Sequence, residues 1–329
     1  MAKRSEPVIG RGERVFPGVF RLRLPLPWPG VPHGNAWAIR HGDRLVLVDS
    51  GYSSPDSMEH VERALEQCGH RVEDIELVVC THAHSDHCGN AATIARRAGC
   101  EVWMHPDRAH MTLGTDDPEA ARRRRFEVAL SSGVPREPLE AWMAERAELP
   151  SGIAEPLEIA RDLVPGVVVQ TDLGPLEVVE TPGHAPSHVC LHQPDRRILI
   201  SGDHVLGRVS LFFEHGFSPD PVGEYLASLD RVRSLEARLC LAGHARPFTD
   251  VQGHIDAHRA KTFESLARTH AAVGTGAATA YELTERLYGE ALNAQTAAWL
   301  LSRTLCDLEH LEVTQEVARA GEPERWALA

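Results

Sequence analysis

A largely apolar run, IELVVC at residues 75–80, leads directly into the segment THAHSDHCG. A short apolar run bounded by turn residues is typical of a buried strand, and a loop at the end of such a strand is rigidly supported yet open to solvent. The loop carries His82, His84, Asp86 and His87. Imidazoles and carboxylates in such a cluster are typical ligands of divalent metals. The segment therefore predicts a buried sheet with a metal-binding loop at its edge.

Predicted strands alternate with predicted helices along most of the chain. Residues 36–51 favour two strands joined by a Gly-Asp turn, and Ser54 and Pro55 carry the signals of a helix start. A helix from about Asn90 to Ala98 precedes the strand-like residues 101–104. Such alternation is typical of an α/β architecture with buried sheets.

Residues 106–165 interrupt this alternation with two predicted helices and several Pro and Gly breaks, so we interpret them as an insertion. Beyond Gly253 the chain is mainly helical and ends in an alternating pattern. The order of helix, helix and hairpin favours a small winged-helix-like module. We therefore expect a larger domain at residues 1–252 and a smaller one at residues 253–329, as the length of 329 residues allows.

The composition places the chain among globular proteins of the cytoplasm. Hydrophobic residues make up 43% and charged residues 25% of the chain, which is enough to build a sizeable core. We find neither an apolar run long enough to span a bilayer nor a secretory signal, so we expect no membrane partner. The seven cysteines lack CxxC spacing, which favours reduced thiols over a disulfide framework.

The charge argues against a nucleic-acid partner. The net charge is −13, from 47 acidic and 34 basic residues, whereas nucleic-acid affinity depends on clustered basic side chains. From Val251 onward, eleven acidic and seven basic residues give the tail a net charge of −4. Lys3 and Lys261 are the only lysines in the sequence, which leaves few candidates for Schiff-base chemistry.

Three later segments offer further metal ligands, each beside a glycine and a predicted strand. They are His184 in ETPGHAPSH, Asp203 in LISGDHVL and His244 in LAGHARP. Glycine permits tight turns and close backbone approach, so it can present a ligand from a loop. Each residue alone is also a common turn residue. With the first cluster, they complete a set of five His and two Asp.

This set resembles the metallo-β-lactamase superfamily, whose HxHxDH motif stands at residues 82–87, followed by His, Asp and His in the family's order. The resemblance covers about residues 15–250 and implies an αββα sandwich, in which two mixed sheets pack face to face with helices outside. It also implies two metal sites, one formed by His82, His84 and His184 and the other by Asp86, His87 and His244, with Asp203 bridging them. Asp49 in LVLVDSG matches an early family Asp that orients ligands, although Asp before Ser-Gly is also common in turns.

The resemblance implies hydrolysis. Two divalent cations, zinc first with iron or manganese as alternatives, would activate a shared water as hydroxide and polarise the bond under attack. Asp86 would align the nucleophile and relay its proton. Among the relatives, the hydroxyacylglutathione hydrolases and the β-lactamase-like-2 group favour ester or thioester hydrolysis of a small acyl substrate. A lactonase, a nuclease or other phosphodiesterase, and an iron-dependent persulfide dioxygenase remain open alternatives.

Several further residues have two interpretations. Arg122 to Arg125 are either a solvated helix face or a contact for an anionic substrate such as a coenzyme A thioester. Phe126, Trp142 and Met143 of the insertion either pack in a core or wall a pocket beside the metal loops. We interpret Cys88 as a small buried thiol. For His188 and His204 we expect supporting or surface roles, and the oligomeric state stays open.

Overall fold

A computed structural model describes residues 9–28, 30–111, 117–147 and 151–329. Residues 112–116 and 148–150 of the predicted insertion, residues 106–165, lie outside the described residues.

The first sheet contains seven described strands, which lie side by side in chain order. The strands are β1 (Arg11–Phe16), β2 (Val19–Trp28), β3 (Val31–His41), β4 (Arg44–Val48), β5 (Ile75–Val79), β6 (Glu101–Met104) and β7 (Arg161–Asp162). Strands β1 to β4 pair in antiparallel fashion and β4 to β7 pair in parallel. The carboxyl ends of β4, β5 and β6 therefore meet at one edge. The hairpin predicted at residues 36–51 is confirmed as β3 and β4.

The second sheet is also mixed. Its described strands are β8 (Val168–Val169), β9 (Leu176–Glu180), β10 (Val189–Gln193), β11 (Ile198–Gly202) and β12 (Leu239–Ala242). They lie in the order β12-β11-β10-β9-β8, with β11 and β12 parallel and the other pairs antiparallel.

Helices cover the outer faces of both sheets. They are α1 (Ser57–Gln67), α2 (Ser85–Cys88), α3 (Ala91–Ala98), α4 (Pro118–Ser131), α5 (Arg136–Ala147), α6 (Pro221–Ser234), α7 (Val251–Val273), α8 (Ala280–Tyr288) and α9 (Ala297–Val313). A two-stranded hairpin of β13 (Val317–Ala320) and β14 (Arg325–Leu328) ends the chain. Among the described residues, the helices are too short or too polar to cross a membrane.

Alternation along the strands divides the core into layers. In β3, Trp37 and Ile39 pack between the two sheets, whereas Ala36 and Ala38 pack under the helices that cover the first sheet. Neighbouring side chains point this way because successive residues of a strand face opposite sides of the sheet. A third cluster lies between the second sheet and the later helices. The αββα sandwich predicted from the sequence is therefore confirmed.

The start of α1 differs from the prediction. The helix begins at Ser57, with Asp56 as its N-cap, rather than at Ser54 and Pro55. The Ser57 amide donates to the Ser54 carbonyl, so the predicted start is a turn that precedes the helix. The Ser57 hydroxyl donates to Asn90 Oδ1 over 2.7 Å, a contact distant in sequence that holds the first helical turn.

The residues beyond 252 pack on the outer face of the second sheet. Helix α7 begins at Val251, so the expected boundary falls in its first turn. Leu266, Leu308 and Trp326 belong to the same buried cluster as Val222 of α6. The C-terminal helices and hairpin therefore share a core with the sandwich.

We expect the replacement Ile200→Ala to destabilise the sandwich by about 2–5 kcal/mol, because it leaves a cavity between the sheets. Ile200 is 1% exposed and lies in the inter-sheet cluster. The control is Val313→Ala, since Val313 is 57% exposed and its truncation should change stability by about 0.5 kcal/mol or less. Urea unfolding measures both free energies. Equal losses in the two variants would contradict the assignment of Ile200 to this layer.

Candidate metal centre

The segment after β5 presents four polar side chains in two directions. His82 lies in a bend, and His84, whose backbone is extended, is the N-cap of the short helix α2. Asp86 and His87 lie on that helix. The backbone changes from extended at His84 to helical at the next residue. This change points the two histidines and the Asp86–His87 pair in different directions, so they can serve two different sites.

The other clustered residues come from loops at the same edge. His184 lies between β9 and β10, Asp203 follows β11, and His244 follows β12. Gly202, which precedes Asp203, has φ +48°, and a Cβ atom there would lie 2.7 Å from His188 Nε2. Glycine is therefore required for the approach of this loop to its neighbours.

Three histidines form the first group. His82 Nε2 lies 3.0 Å from His84 Nδ1, and His184 Nε2 lies 2.9 Å from the same atom. These nitrogens converge within 4.8 Å of one another. The three imidazoles that the sequence separates by up to a hundred residues thus face one point.

Four residues form the second group. His244 Nε2 lies 3.3 Å from Asp86 Oδ2 and 3.2 Å from Asp203 Oδ2. His87 Nε2 lies 3.5 Å from Asp86 Oδ2 and 3.4 Å from Asp203 Oδ1. This group has the mixed nitrogen and oxygen character that divalent metals accept.

Asp203 lies between the groups. Its Oδ2 atom is 3.2 Å from His244 Nε2 of the second group and 3.9 Å from His184 Nε2 of the first. The structure therefore brings all seven residues together, with Asp203 within 4 Å of a histidine of each group.

Asp49 is hydrogen-bonded to the outer side of the second group. Its Oδ1 atom accepts from the Thr81 amide over 2.8 Å, and its Oδ2 atom accepts from His87 Nδ1 over 2.9 Å. The Thr81 hydroxyl donates to Asp49 and lies 3.0 Å from His82 Nδ1, from which it can accept. A carboxylate cannot donate, so His87 carries its proton on Nδ1 and turns the Nε2 lone pair toward the group.

The remaining histidines are oriented in the same way. His84 Nε2 donates to Glu214 Oε2 over 3.0 Å, and His184 Nδ1 donates to the Phe212 carbonyl over 2.9 Å. His244 Nδ1 donates to a backbone carbonyl, that of His33, over 3.1 Å. In each ring the outer nitrogen is the donor, so the inner nitrogen is the one that faces the cluster, as in a metal-binding imidazole.

Two buried atoms of the second group lack a hydrogen-bond partner. They are His87 Nε2 and Asp203 Oδ1. A Cβ atom at Gly243 would collide with Asp203 Oδ1 and with the His87 ring, so glycine keeps space open beside both. Buried polar atoms without partners are costly, whereas coordination at about 2.0–2.2 Å would satisfy them. The residues therefore fit a divalent cation.

The electrostatics of the two groups differ. Burial and the neighbouring imidazoles lower the pKa of His82, and they lower that of His184 to about 4. Burial also opposes the charged form of His244, yet the carboxylates of Asp203 and Asp86 raise its pKa to about 10. His82 and His184 thus offer neutral rings with free lone pairs, and the second group attracts positive charge, as metal binding requires.

His188 and Cys88 lie behind the cluster and are buried. His188 Nε2 accepts from the Asp203 amide over 3.1 Å, and its Nδ1 atom lies 2.7 Å from Thr181 Oγ1. His188 therefore holds the Asp203 loop. Cys88 is fully buried in the core between the first sheet and its helices, which confirms the interpretation as a small buried thiol.

A cavity of about 930 Å³ adjoins the centre, and the insertion helices form part of its wall. Trp142 and Met143 line it, as one interpretation of the sequence proposed. Among the described lining residues Phe126 is absent, and its ring lies 5.2 Å from the Arg136 guanidinium instead.

The Arg run divides between two environments. The Arg124 guanidinium lies 4.2 Å from the centre of the Phe217 ring and donates to the Gly216 carbonyl. Arg122, Arg123 and Arg125 are exposed on α4.

Glu214 and Phe212 are the residues of the centre that sequence analysis missed. Both lie in the long connection between β11 and α6, without a motif or a regular pattern around them. Their contacts with His84 and His184 span 130 and 28 positions of the chain. In the sequence, Glu214 is marked only by its histidine neighbour, His215. Adjacent Glu and His residues are common on protein surfaces, so this pair does not indicate a site.

Comparisons with known proteins agree with this geometry. The family model described as the metallo-beta-lactamase superfamily matches residues 29–244, a span that contains all seven clustered residues. The "Probable metallo-hydrolase YqjP" of Bacillus subtilis is 24% identical over 315 residues, which cover 91% of this chain and 93% of that protein.

Two further relatives are named as thioesterases. The human "Acyl-coenzyme A thioesterase MBLAC2" is 30% identical over 177 residues, 51% of this chain and 57% of that protein. An "Atrochrysone carboxyl ACP thioesterase" of Cryptosporiopsis is 22% identical over 296 residues, 85% of this chain and 75% of that protein.

Solved structures share the fold over nearly the whole chain. The metallo-beta-lactamase family protein TTHA1429 of Thermus thermophilus superposes with a TM-score of 0.81 at 26% identity, covering 96% of this chain and 100% of that one. A beta-lactamase domain protein of Burkholderia ambifaria gives a TM-score of 0.81 at 27% identity, covering 99% and 97%. The chain therefore belongs to the metallo-β-lactamase superfamily and is a metallo-hydrolase.

Proposed function

We propose that this metallo-hydrolase uses two divalent metal ions to cleave an ester or thioester bond in a small acyl substrate. The observation that carries the proposal is the convergence of seven side chains into two adjacent groups with Asp203 between them.

Each group would hold one cation. We assign the first to His82, His84 and His184 and the second to Asp86, His87 and His244, with Asp203 shared. Zinc is the metal we expect, because it is commonly bound by three or four imidazole nitrogens and carboxylate oxygens. Iron and manganese bind the same donors.

The chemistry combines the cations and one carboxylate. When bound, two divalent cations lower the pKa of a water toward neutrality and polarise the scissile carbonyl. Burial opposes the ionisation of Asp86, but the imidazoles of His87 and His244 lower its pKa, so its carboxylate is ionised. The ionised carboxylate of Asp86 can therefore accept a hydrogen bond from the attacking water and orient it, and we assign the relay of its proton to the same residue.

Two relatives support an acyl bond as the target, since their names describe thioesterases that act on coenzyme A and acyl-carrier-protein thioesters. The net charge of −13 supports a small substrate over a nucleic acid.

We also propose that residues 1–252 carry the chemistry and that residues 253–329 form a winged-helix-like module. Support comes from the order of the later elements, three helices followed by a hairpin, and from their acidic balance, which suits packing rather than binding to nucleic acid. We expect the protein to act in the cytoplasm.

The variant Asp49→Asn should bind zinc about 10–100-fold more weakly than the natural chain, because an amide cannot accept both of the bonds that orient His87 and Thr81. Asp43→Asn, in the exposed turn between β3 and β4, is the matched control. Competition with a chromophoric chelator measures the affinity, and elemental analysis should find two metal ions per natural chain. One ion per chain would contradict the dinuclear assignment.

Asp203→Asn should lower kcat/KM for the best acyl substrate by about 100-fold or more, since charge stabilisation by the metals accounts for several kcal/mol of the barrier. The measurement is a panel of esters, thioesters, lactones, phosphodiesters and glutathione persulfide with the metal-loaded protein. Asp43→Asn should keep the natural rate. Turnover of a phosphodiester or a persulfide, without turnover of an ester or thioester, would refute the proposal.

The exposed Arg122 and Arg123 test whether α4 contacts an anionic leaving group. We expect the double variant Arg122→Ala and Arg123→Ala to raise KM for a coenzyme A thioester by up to about fivefold, the effect of an exposed charge pair. An uncharged thioester with the same acyl group should keep its KM. If the coenzyme A thioester also keeps its KM, the two side chains are only a solvated helix face.

A further inference from the structure

The cavity of about 930 Å³ has two walls. One wall lies inside the superfamily match at residues 29–244, and the other lies beyond it. The first wall comes from α4 and α5 of the insertion, and the second comes from α8, α9 and their connection. The Trp142 indole donates to the Ala294 carbonyl over 2.8 Å, and the Tyr281 amide donates to the Ser132 carbonyl over 2.9 Å. These bonds join the walls.

The cavity lies beside the first histidine group. Phe212, one of its lining residues, has its ring 5.7 Å from the rings of both His84 and His184. His110 also lines the cavity, and its ring lies 5.4 Å from that of His84. Side chains that line the cavity therefore contact the histidines that would hold the first cation.

The lining is mostly apolar. Aliphatic and aromatic side chains come from both walls, among them Val128, Leu139, Trp142, Trp299, Leu301 and Leu305. Trp299 is 47% exposed and borders this cavity. The volume falls within the range of about 300–1,000 Å³ that is common for ligand pockets.

Two charged lining residues are already engaged. The Arg124 guanidinium contacts the Phe217 ring and the Gly216 carbonyl, and Glu214 bonds to His84. The other charged lining residues, Arg125, Glu145 and Glu285, are exposed to solvent. The apolar side chains of the lining therefore favour apolar carbon.

We propose that this cavity is the acyl-binding pocket and that it selects substrates with an unbranched apolar acyl chain over short acyl groups. This inference rests on the proposed function, since it assigns the acyl part of the substrate to the cavity and the scissile carbonyl to the metal centre. The insertion and the C-terminal helices are then specificity elements.

Burial of a chain in such a pocket should raise kcat/KM by about three- to fourfold for each methylene group that enters it. We would compare acetyl and decanoyl thioesters of N-acetylcysteamine, which share one uncharged leaving group. The decanoyl thioester should exceed the acetyl thioester by at least about 100-fold in kcat/KM with the metal-loaded protein. Equal values for the two substrates would overturn the pocket assignment while leaving hydrolase activity intact.

The matched variants are Ala141→Trp and Ala144→Trp, both at exposed positions of α5. Ala141 lines the cavity, whereas Ala144 is not among its described lining residues. Ala141→Trp should lower kcat/KM for the decanoyl thioester at least about tenfold and change that for the acetyl thioester less than twofold. Ala144→Trp should match the natural chain with both substrates. Ala298→Trp fills the cavity from the opposite wall and repeats the test if the first variant folds poorly.

A binding measurement separates this inference from the proposed function. The decyl thioether of N-acetylcysteamine cannot be hydrolysed, and its binding can be followed by calorimetry. The thioether should bind the natural chain and the Ala144→Trp variant with the same affinity. It should bind the Ala141→Trp variant at least about tenfold more weakly. Binding with this pattern but without turnover of any ester or thioester would support the pocket and refute the proposed acyl-bond hydrolysis. Absence of binding to the natural chain would refute the pocket.

Discussion

The face-to-face packing of the two sheets is the constraint on which the metal centre depends. Trp37 and Val48 of the first sheet meet Leu191 and Ile200 of the second in one dry layer. Because the strands that precede the clustered residues end at the same edge, this packing brings their loops together. A slip of one residue in any of these strands would turn its side chains to the opposite face and separate the groups.

Backbone bonds between loops lock this edge. The Val189 amide donates to the Thr81 carbonyl over 2.8 Å, and the Asn35 amide donates to the Gly243 carbonyl over 2.7 Å. Both bonds connect strands or loops of different sheets. The ligand loops are therefore held by the sandwich itself, which keeps seven side chains in place before a cation binds.

The centre carries a cost that the rest of the core offsets. His87 Nε2 and Asp203 Oδ1 are buried without a hydrogen-bond partner, and buried atoms of this kind reduce stability. Outside the cluster, in contrast, each of the five clustered histidines uses its outer nitrogen in a contact with an oxygen atom. Within the cluster, the atoms that lack a hydrogen-bond partner are therefore ones that face inward, as expected of a site reserved for a ligand.

The sequence by itself determined the chemistry-bearing residues and the local elements. Strand and helix periods are local, so the β3–β4 hairpin, β5 and α3 could be located closely, and the motif at residues 82–87 with three later residues named the whole cluster. The roles of Glu214 and Phe212, the pocket walls and the true start of α1 could not be predicted. These depend on contacts between residues far apart in the chain, and only the tertiary packing of both sheets with the insertion and the C-terminal helices decides which such residues meet.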